Sequence, residues 1–229
     1  MTYIKRRIQF YEEKIDRWLS RIHPAFKFLD DHSKTCLDRL CKEQVVLALH
    51  HYSARITLYR PCFLHRKSIS LRDIDSGSLT AKCLHAAVAL ISIFPDNVDL
   101  RWVYHTSPWW CILDFLMQAT TILMIYTQVE RDAIASTEQP YSRPVTEGEL
   151  PEIQKASRKA YEWLHGLSNV DESCRRAFQL YDDLAQRSGL DLRSAATGAT
   201  SLQAAPSSRC HGFLWLPSEE SWDPAENGK

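Results

Sequence analysis

At 229 residues and 45% hydrophobic content, the chain is long enough for one large domain, or one domain with a tail, around a sizeable core. Lys plus Arg and Asp plus Glu number 28 each, so the formal net charge is zero, which argues against a nucleic-acid surface of clustered basic charge. Only seven glycines are present, with neither GxxxxGK nor GxGxxG, which excludes the common phosphate-cradling loops.

The first stretch, Tyr3–Ile22, has helical periodicity. Ile4, Ile8, Tyr11, Ile15, Trp18, Leu19 and Ile22 line one stripe, and Lys5, Arg6, Glu12, Lys14 and Arg17 are assigned to water. It is charged and amphipathic, without the apolar core of a secretory signal, so the expectation is an intracellular protein. His23-Pro24 ends the helix, because proline disfavours helical geometry in the residue before it. Phe26, Phe28 and Leu29 are expected to pin the connection to the core. Ser33–Arg60 is predicted as a second long helix, with Cys41, Val45, Leu49, Tyr52, Ile56 and Tyr59 on one stripe and Pro61 as its stop. Ser68–Ser78 reads as a polar connector. Leu79–Phe94 is a third helix, with Thr80 as a cap, and Val98–Thr106 is partly helical.

Ser107–Glu130 is the centre of the reading. Ser107 and Pro108 suit a helix start, and apolar residues then fall on nearly every face, with Asp114, Gln118 and Gln128 the strongly polar exceptions. Such a helix needs enclosure by other helices. The competing reading is a membrane span, but Asp114 and Gln118 would then lie in hydrocarbon and no Lys/Arg cluster flanks the stretch. Ser136–Leu150 reads as a long loop. Pro151–Leu167 and Asp171–Leu184 form an amphipathic hairpin around Ser168-Asn169. With no convincing period-2 strand, the fold class is all-α: a multi-helix domain over 1–187, with a flexible tail over 188–229. That tail is rich in Ser, Ala, Gly and Thr. It ends in HGFLWLPSEESWDPAEN, where Trp215 and Trp222 stand among acids, like an activation segment that folds onto coactivators; the plainer reading is an unstructured tail or one that packs back on the domain.

The seven cysteines, Cys36, Cys41, Cys62, Cys83, Cys111, Cys174 and Cys210, are scattered with no CxxC, and read as reduced thiols.

Four segments together resemble one family. In LALHHYSARITLYRPCFL, residues Leu49, His51, Tyr52, Arg55, Ile56, Leu58, Arg60, Pro61, Phe63 and Leu64 are similar to a family helix of form LxxHYxxxRIxLxRPFL, with Cys62 inserted before Phe63. KCLHAAVALISIF, PWWCILDFLMQATTILM and KASRKAYEWLHGLSNVDESCRRAFQLYDDL are similar to three further helices in the same order, over roughly residues 10–185. The family is the fungal-specific transcription factor domain, the middle homology region of regulators with a six-cysteine binuclear zinc cluster. The resemblance implies regulation of transcription in a fungal nucleus, with coactivators or the transcription machinery as partners, a full-length relative as another, and no membrane. It places DNA and zinc binding in an N-terminal CxxCxxxxxxC segment that this sequence does not contain. The expectation is therefore a regulatory domain that is a fragment, has a misplaced gene start, or is a paralogue without its DNA-binding part. The alternatives are a helical protein-interaction scaffold and a non-functional truncated paralogue.

No catalytic, cofactor or metal site emerges, and an enzyme is not expected. Adjacent His50 and His51 point in different directions on a helix, whereas a helical metal site wants an i, i+4 pair, so His51, Tyr52 and Arg55 read as structural. Cys83 and His85 have no second pair. Ser53 and Ser107 lack a nucleophile motif. Asp114, if buried, is expected to pair with Arg55 or Arg60. Trp109, Trp110, Met117 and Tyr126 read either as core or, since the family is thought to sense metabolites or drugs, as the lining of a small-molecule pocket.

Overall fold

The computed structural model describes residues 2–28, 41–64, 74–135 and 150–187, with the side chains of 2, 74–78 and 132–135 left aside. They form seven α-helices and one 3-10 turn, and no strand occurs among the described residues. The expected tail over 188–229, with Trp215, Trp222 and Cys210, lies outside them, as do Cys36, Leu29 and most of the Ser68–Ser78 and Ser136–Leu150 connectors.

Helix α1 (Thr2–Arg21) is followed by the 3-10 turn Pro24–Phe26. Helix α2 spans Lys42–Leu64, later at both ends than the expected Ser33–Arg60. Its start is set by Gln44, whose Oε1 accepts from the Cys41 backbone N–H at 2.9 Å. That is the return half of a capping box, which satisfies a donor the helix cannot. The Gln44 Nε2 donates back to the Ala25 and Lys27 carbonyls at 3.2 and 2.9 Å, tying α2 to the turn after α1. Pro61 does not stop the helix. Its ring and missing N–H cost about 3 kcal/mol in a helix interior, but the turn beyond carries Cys62 and Phe63, both buried in the core, and their burial offsets that cost.

Helix α3 (Ile74–Ile93) begins inside the predicted connector, so Thr80 is not a cap but a buried residue within the helix. Cys83, Leu84, Ala87 and Leu90 are wholly buried. The small Ala86-Ala87 pair lies on this face, and α2 and α3 form the most extensive helix pair among the described residues. After Pro95, Asp99 caps α4 (Leu100–Thr106) by accepting from the Arg101 N–H at 2.8 Å. Ser107 closes α4 rather than opening the next helix: its N–H donates to Val103 O. The Pro108 carbonyl receives the first bonds of α5 (Trp109–Ala135), from Cys111 and Ile112 at 3.0 and 3.3 Å.

Helix α5 contacts α2, α3, α4, α6 and α7. Ile112, Leu116, Ala119, Thr120, Ile122 and Leu123 are fully buried along it. Trp109–Arg131 is long and apolar enough to cross a membrane, and half of that stretch is buried against the other helices. Its enclosure is not complete, because Asp114 and Trp110 face solvent. Asp114 makes neither of the expected ion pairs. Being exposed, it needs no buried cation, and its Oδ2 accepts from Gln118 Nε2 at 2.7 Å, while Gln118 Oε1 accepts from Ser53 Oγ of α2 at 2.7 Å.

Helices α6 (Leu150–Leu167) and α7 (Glu172–Arg187) form the hairpin, with Asp171 rather than Ser168 or Asn169 capping α7 through the Ser173 N–H at 2.8 Å. Tyr161 of α6 donates to the buried Asp182 of α7 at 3.2 Å, and Gln186 donates to the other carboxylate oxygen at 2.9 Å. Trp163 is fully buried and would strand its indole N–H without a partner, so it donates to Pro95 O at 2.9 Å. Its ring meets Phe94 and Trp102 at centroid distances of 5.2 and 5.5 Å. One turn on, Gly166 admits Val98 so closely that a Cβ there would overlap Val98 Cγ1 and lie 3.3 Å from Val98 Cβ. Gly166→Ala is therefore expected to lower stability by about 1–2 kcal/mol, read as a reduced urea midpoint with an unchanged slope; an unchanged midpoint would show that the α3–α4 connection yields freely.

Candidate functional site

The polar groups that converge on one place belong to the seam between α1 and α2. The apolar stripe of α1 is only partly used there: Ile8 is buried, and Ile15, Leu19 and Ile22 are half-buried. Tyr11 and Trp18, expected in the core, are each 42% exposed. What replaces apolar burial is charge. Glu12, assigned to water by its sequence position, turns inward, and its Oε1 accepts from Tyr59 of α2 at 2.7 Å and from Lys82 of α3 at 2.6 Å. Burial by itself would raise the Glu12 carboxyl; the bonds from Lys82 and Tyr59 outweigh it and hold the pKa below its ordinary value. The Tyr59 phenol moves up, first through burial and then through its bond to Glu12. One turn along α1, Asp16 pairs with Arg55 of α2.

His51 lies beside this pair. It stacks on Trp18 at 6.3 Å, meets Phe28 at 5.5 Å, and has Tyr52 edge-on at 5.1 Å. Burial first, and then the Arg55 charge, push its pKa down to about 4, with Asp16 opposing. Its Nδ1 and the Arg55 Nε are buried without hydrogen-bond partners. The ring of His50 lies edge-on to Phe115 of α5 at 5.0 Å. Beside His51 a groove of about 330 Å³ opens, lined by Tyr11, Lys14, Ile15, Trp18, His50, His51 and Ala54.

None of Trp109, Trp110, Met117 and Tyr126 lines this groove. They do not share an environment, since Trp110 is 58% exposed and Tyr126 only 2%. Among the described residues no three His, Cys, Asp or Glu side chains gather as a metal site. Cys62, Cys83 and Cys174 are buried, and Cys41, Cys62, Cys83, Cys111 and Cys174 are all free thiols. Burial, with a smaller push from Cys62 and against Arg60, raises Cys83 up to about 12. Asp16, Lys82 and Asp182, the inward turn of Glu12 and its bond from Tyr59 were not foreseen. The available signal was the i, i+4 spacing of Glu12 and Asp16 at the margin of an apolar stripe.

No protein-family model matches the chain, and no solved structure matches it. The sequence is 25% identical to an Aspergillus niger protein named Transcription regulator galc, over 86% of this chain and 27% of that protein. The chain is related to a fungal transcription regulator and spans about a quarter of its length.

Two outcomes test the seam. Glu12→Ala leaves the Tyr59 hydroxyl without its acceptor, a loss of about 1–3 kcal/mol. Hydrogen exchange is expected to speed up across α1 while α3, α5 and α6 keep their protection; equal loss everywhere would show that α1 is integral to the core. For His51, the folded pKa lies below the value of 6.5 for the free side chain. The unfolded chain therefore takes up the proton first, and stability is full above pH 6.5 and declines as pH falls toward 4. His51→Phe is expected to flatten that part of the stability–pH curve relative to wild type, measured by denaturant melts across the interval; superimposable curves would dismiss His51 as its source.

Proposed function

We propose that this chain is the helical regulatory portion of a fungal transcription regulator, corresponding to the middle homology region of zinc-cluster factors and acting in the nucleus. The observation that carries the reading is the similarity to the Aspergillus niger transcription regulator along 86% of the chain. The all-helical fold agrees with it, and no metal-binding cluster among the described residues points to another chemistry. In this reading the protein is not an enzyme. DNA and zinc binding would belong to a CxxCxxxxxxC segment, a pattern that this sequence lacks. The helical domain would act by binding coactivators or a full-length relative, and would hold an activation surface in or out of play, with or without a small-molecule ligand. A helical interaction scaffold outside transcription is the second reading, favoured by the exposed aromatic side chains of α1.

Fusion of the chain to a foreign DNA-binding domain, upstream of a reporter in a fungal host, separates the two. The regulator reading expects reporter output to change severalfold in either direction. Output equal to that of the DNA-binding domain alone, with the fusion present in the nucleus, would favour the scaffold.

A further inference from the structure

The outer face of α1 has a composition that the fold uses only through the stack of Trp18 on His51. Helical spacing places Tyr3, Arg7, Phe10, Tyr11, Lys14, Arg17, Trp18 and Arg21 on one side. All are exposed; Tyr3 is 69% exposed and Phe10 52%. The cations lie over the rings: Arg7 donates to the Tyr3 and Tyr11 hydroxyls at 2.9 and 3.3 Å, and the Lys14 Nζ stands 4.4 Å from the Phe10 ring centroid. The charged residues at these positions are all positive, with the exposed Glu13 at their margin beside Arg17, while Glu12 and Asp16 pair with Lys82 and Arg55. The face continues into the groove, where Tyr11, Lys14 and Trp18 of α1 stand opposite His50 and Ala54 of α2.

We infer that this groove is the docking site for a short acidic amphipathic helix that inserts one bulky aromatic side chain. The charge is complementary: carboxylates one or two turns apart on such a helix would meet Arg7, Lys14 and Arg17 in turn. The shape agrees, because a volume of 330 Å³ admits a large aromatic side chain. That value lies at the small end of the roughly 300–1,000 Å³ of metabolite pockets, and the site is an open groove between α1 and α2 rather than an enclosed chamber. A basic, aromatic helix also suits an anionic lipid surface. Here, however, the apolar anchor point lies in a concavity between two helices, which a flat bilayer does not fill.

The test uses the whole chain and a synthetic helix of about 16 residues, some 24 Å long, with Glu along one face and a single Trp on the other, followed by fluorescence anisotropy. Binding is expected to weaken at least about tenfold between low and high salt, and likewise on replacing every Glu of the peptide by Gln or its Trp by Ala. Two substitutions on the protein should each weaken it about tenfold: Lys14→Glu, which reverses the charge, and Ala54→Trp, which fills the groove from an exposed position. Circular dichroism melts confirm that both variants fold, and Arg17→Glu replaces either one that does not. Failure of the peptide to bind overturns the proposal, as does equal binding of the Gln peptide or indifference to both substitutions. So does preferential binding of phosphatidylserine vesicles over the peptide, which would assign the face to a membrane surface.

Discussion

The enclosure of α5 is the constraint on which the rest of the structure depends. A helix with Ile112, Leu116, Ala119, Ile122 and Leu123 fully buried cannot rest on one neighbour. It takes α2 and α3 on one side and α6 and α7 on another, with α4 across its start. Each neighbour then needs its own attachment. Trp163 supplies one by joining α6 to the end of α3 through the Pro95 carbonyl, and the Phe94–Trp102–Trp163 cluster fills the corner that the short α4 would leave open. Ser53 and Gln118 supply another, between α2 and α5, at a margin where solvent begins.

Against that core, α1 is held by a different kind of force. Only Ile8 of its stripe is buried, and the attachment runs through Glu12 with Tyr59 and Lys82 and through Asp16 with Arg55. Such contacts are directional and salt-dependent, and exposed ion pairs contribute little. Glu12 matters more than Asp16 because its carboxylate also satisfies a buried phenol. The molecule thus grades from a tightly packed centre to a helix attached chiefly by polar groups, and the outward aromatic side chains lie on that helix.

Helix existence was legible because it follows from periodicity that packing then rewards: every predicted helix is present, and the all-α class follows. Boundaries were less so, each for a local reason. Gln44 moved one helix start by reaching back to Cys41, and buried Cys62 and Phe63 carried α2 past a proline that, in sequence, reads as a stop. The α1–α2 seam was hardly legible at all. Sequence position marks Glu12 as a surface residue and Tyr11 and Trp18 as core, and the three-dimensional placement of Tyr59 and of Lys82, some seventy positions on, reverses the first. Asp114 shows the converse. Its presence on an apolar helix suggested a buried ion pair, but the helix is open on that side and a neighbouring glutamine suffices.

The apolar character of α5 also imposes an order on the protein's birth. As the chain leaves the ribosome, α2 and α3 exist before α5 and offer it one surface, but α6, which covers another, is not complete until Leu167 has been added. At about 5–20 residues per second, the interval from Arg131 to Leu167 lasts a few seconds. During that time a stretch with the length and hydropathy of a membrane segment lacks the cover that α6 gives it in the finished fold. Nascent chains of this protein should therefore be clients of ribosome-associated chaperones, and a synonymous codon change that slows translation between α5 and α6 would lower yield without altering a single contact in the finished fold.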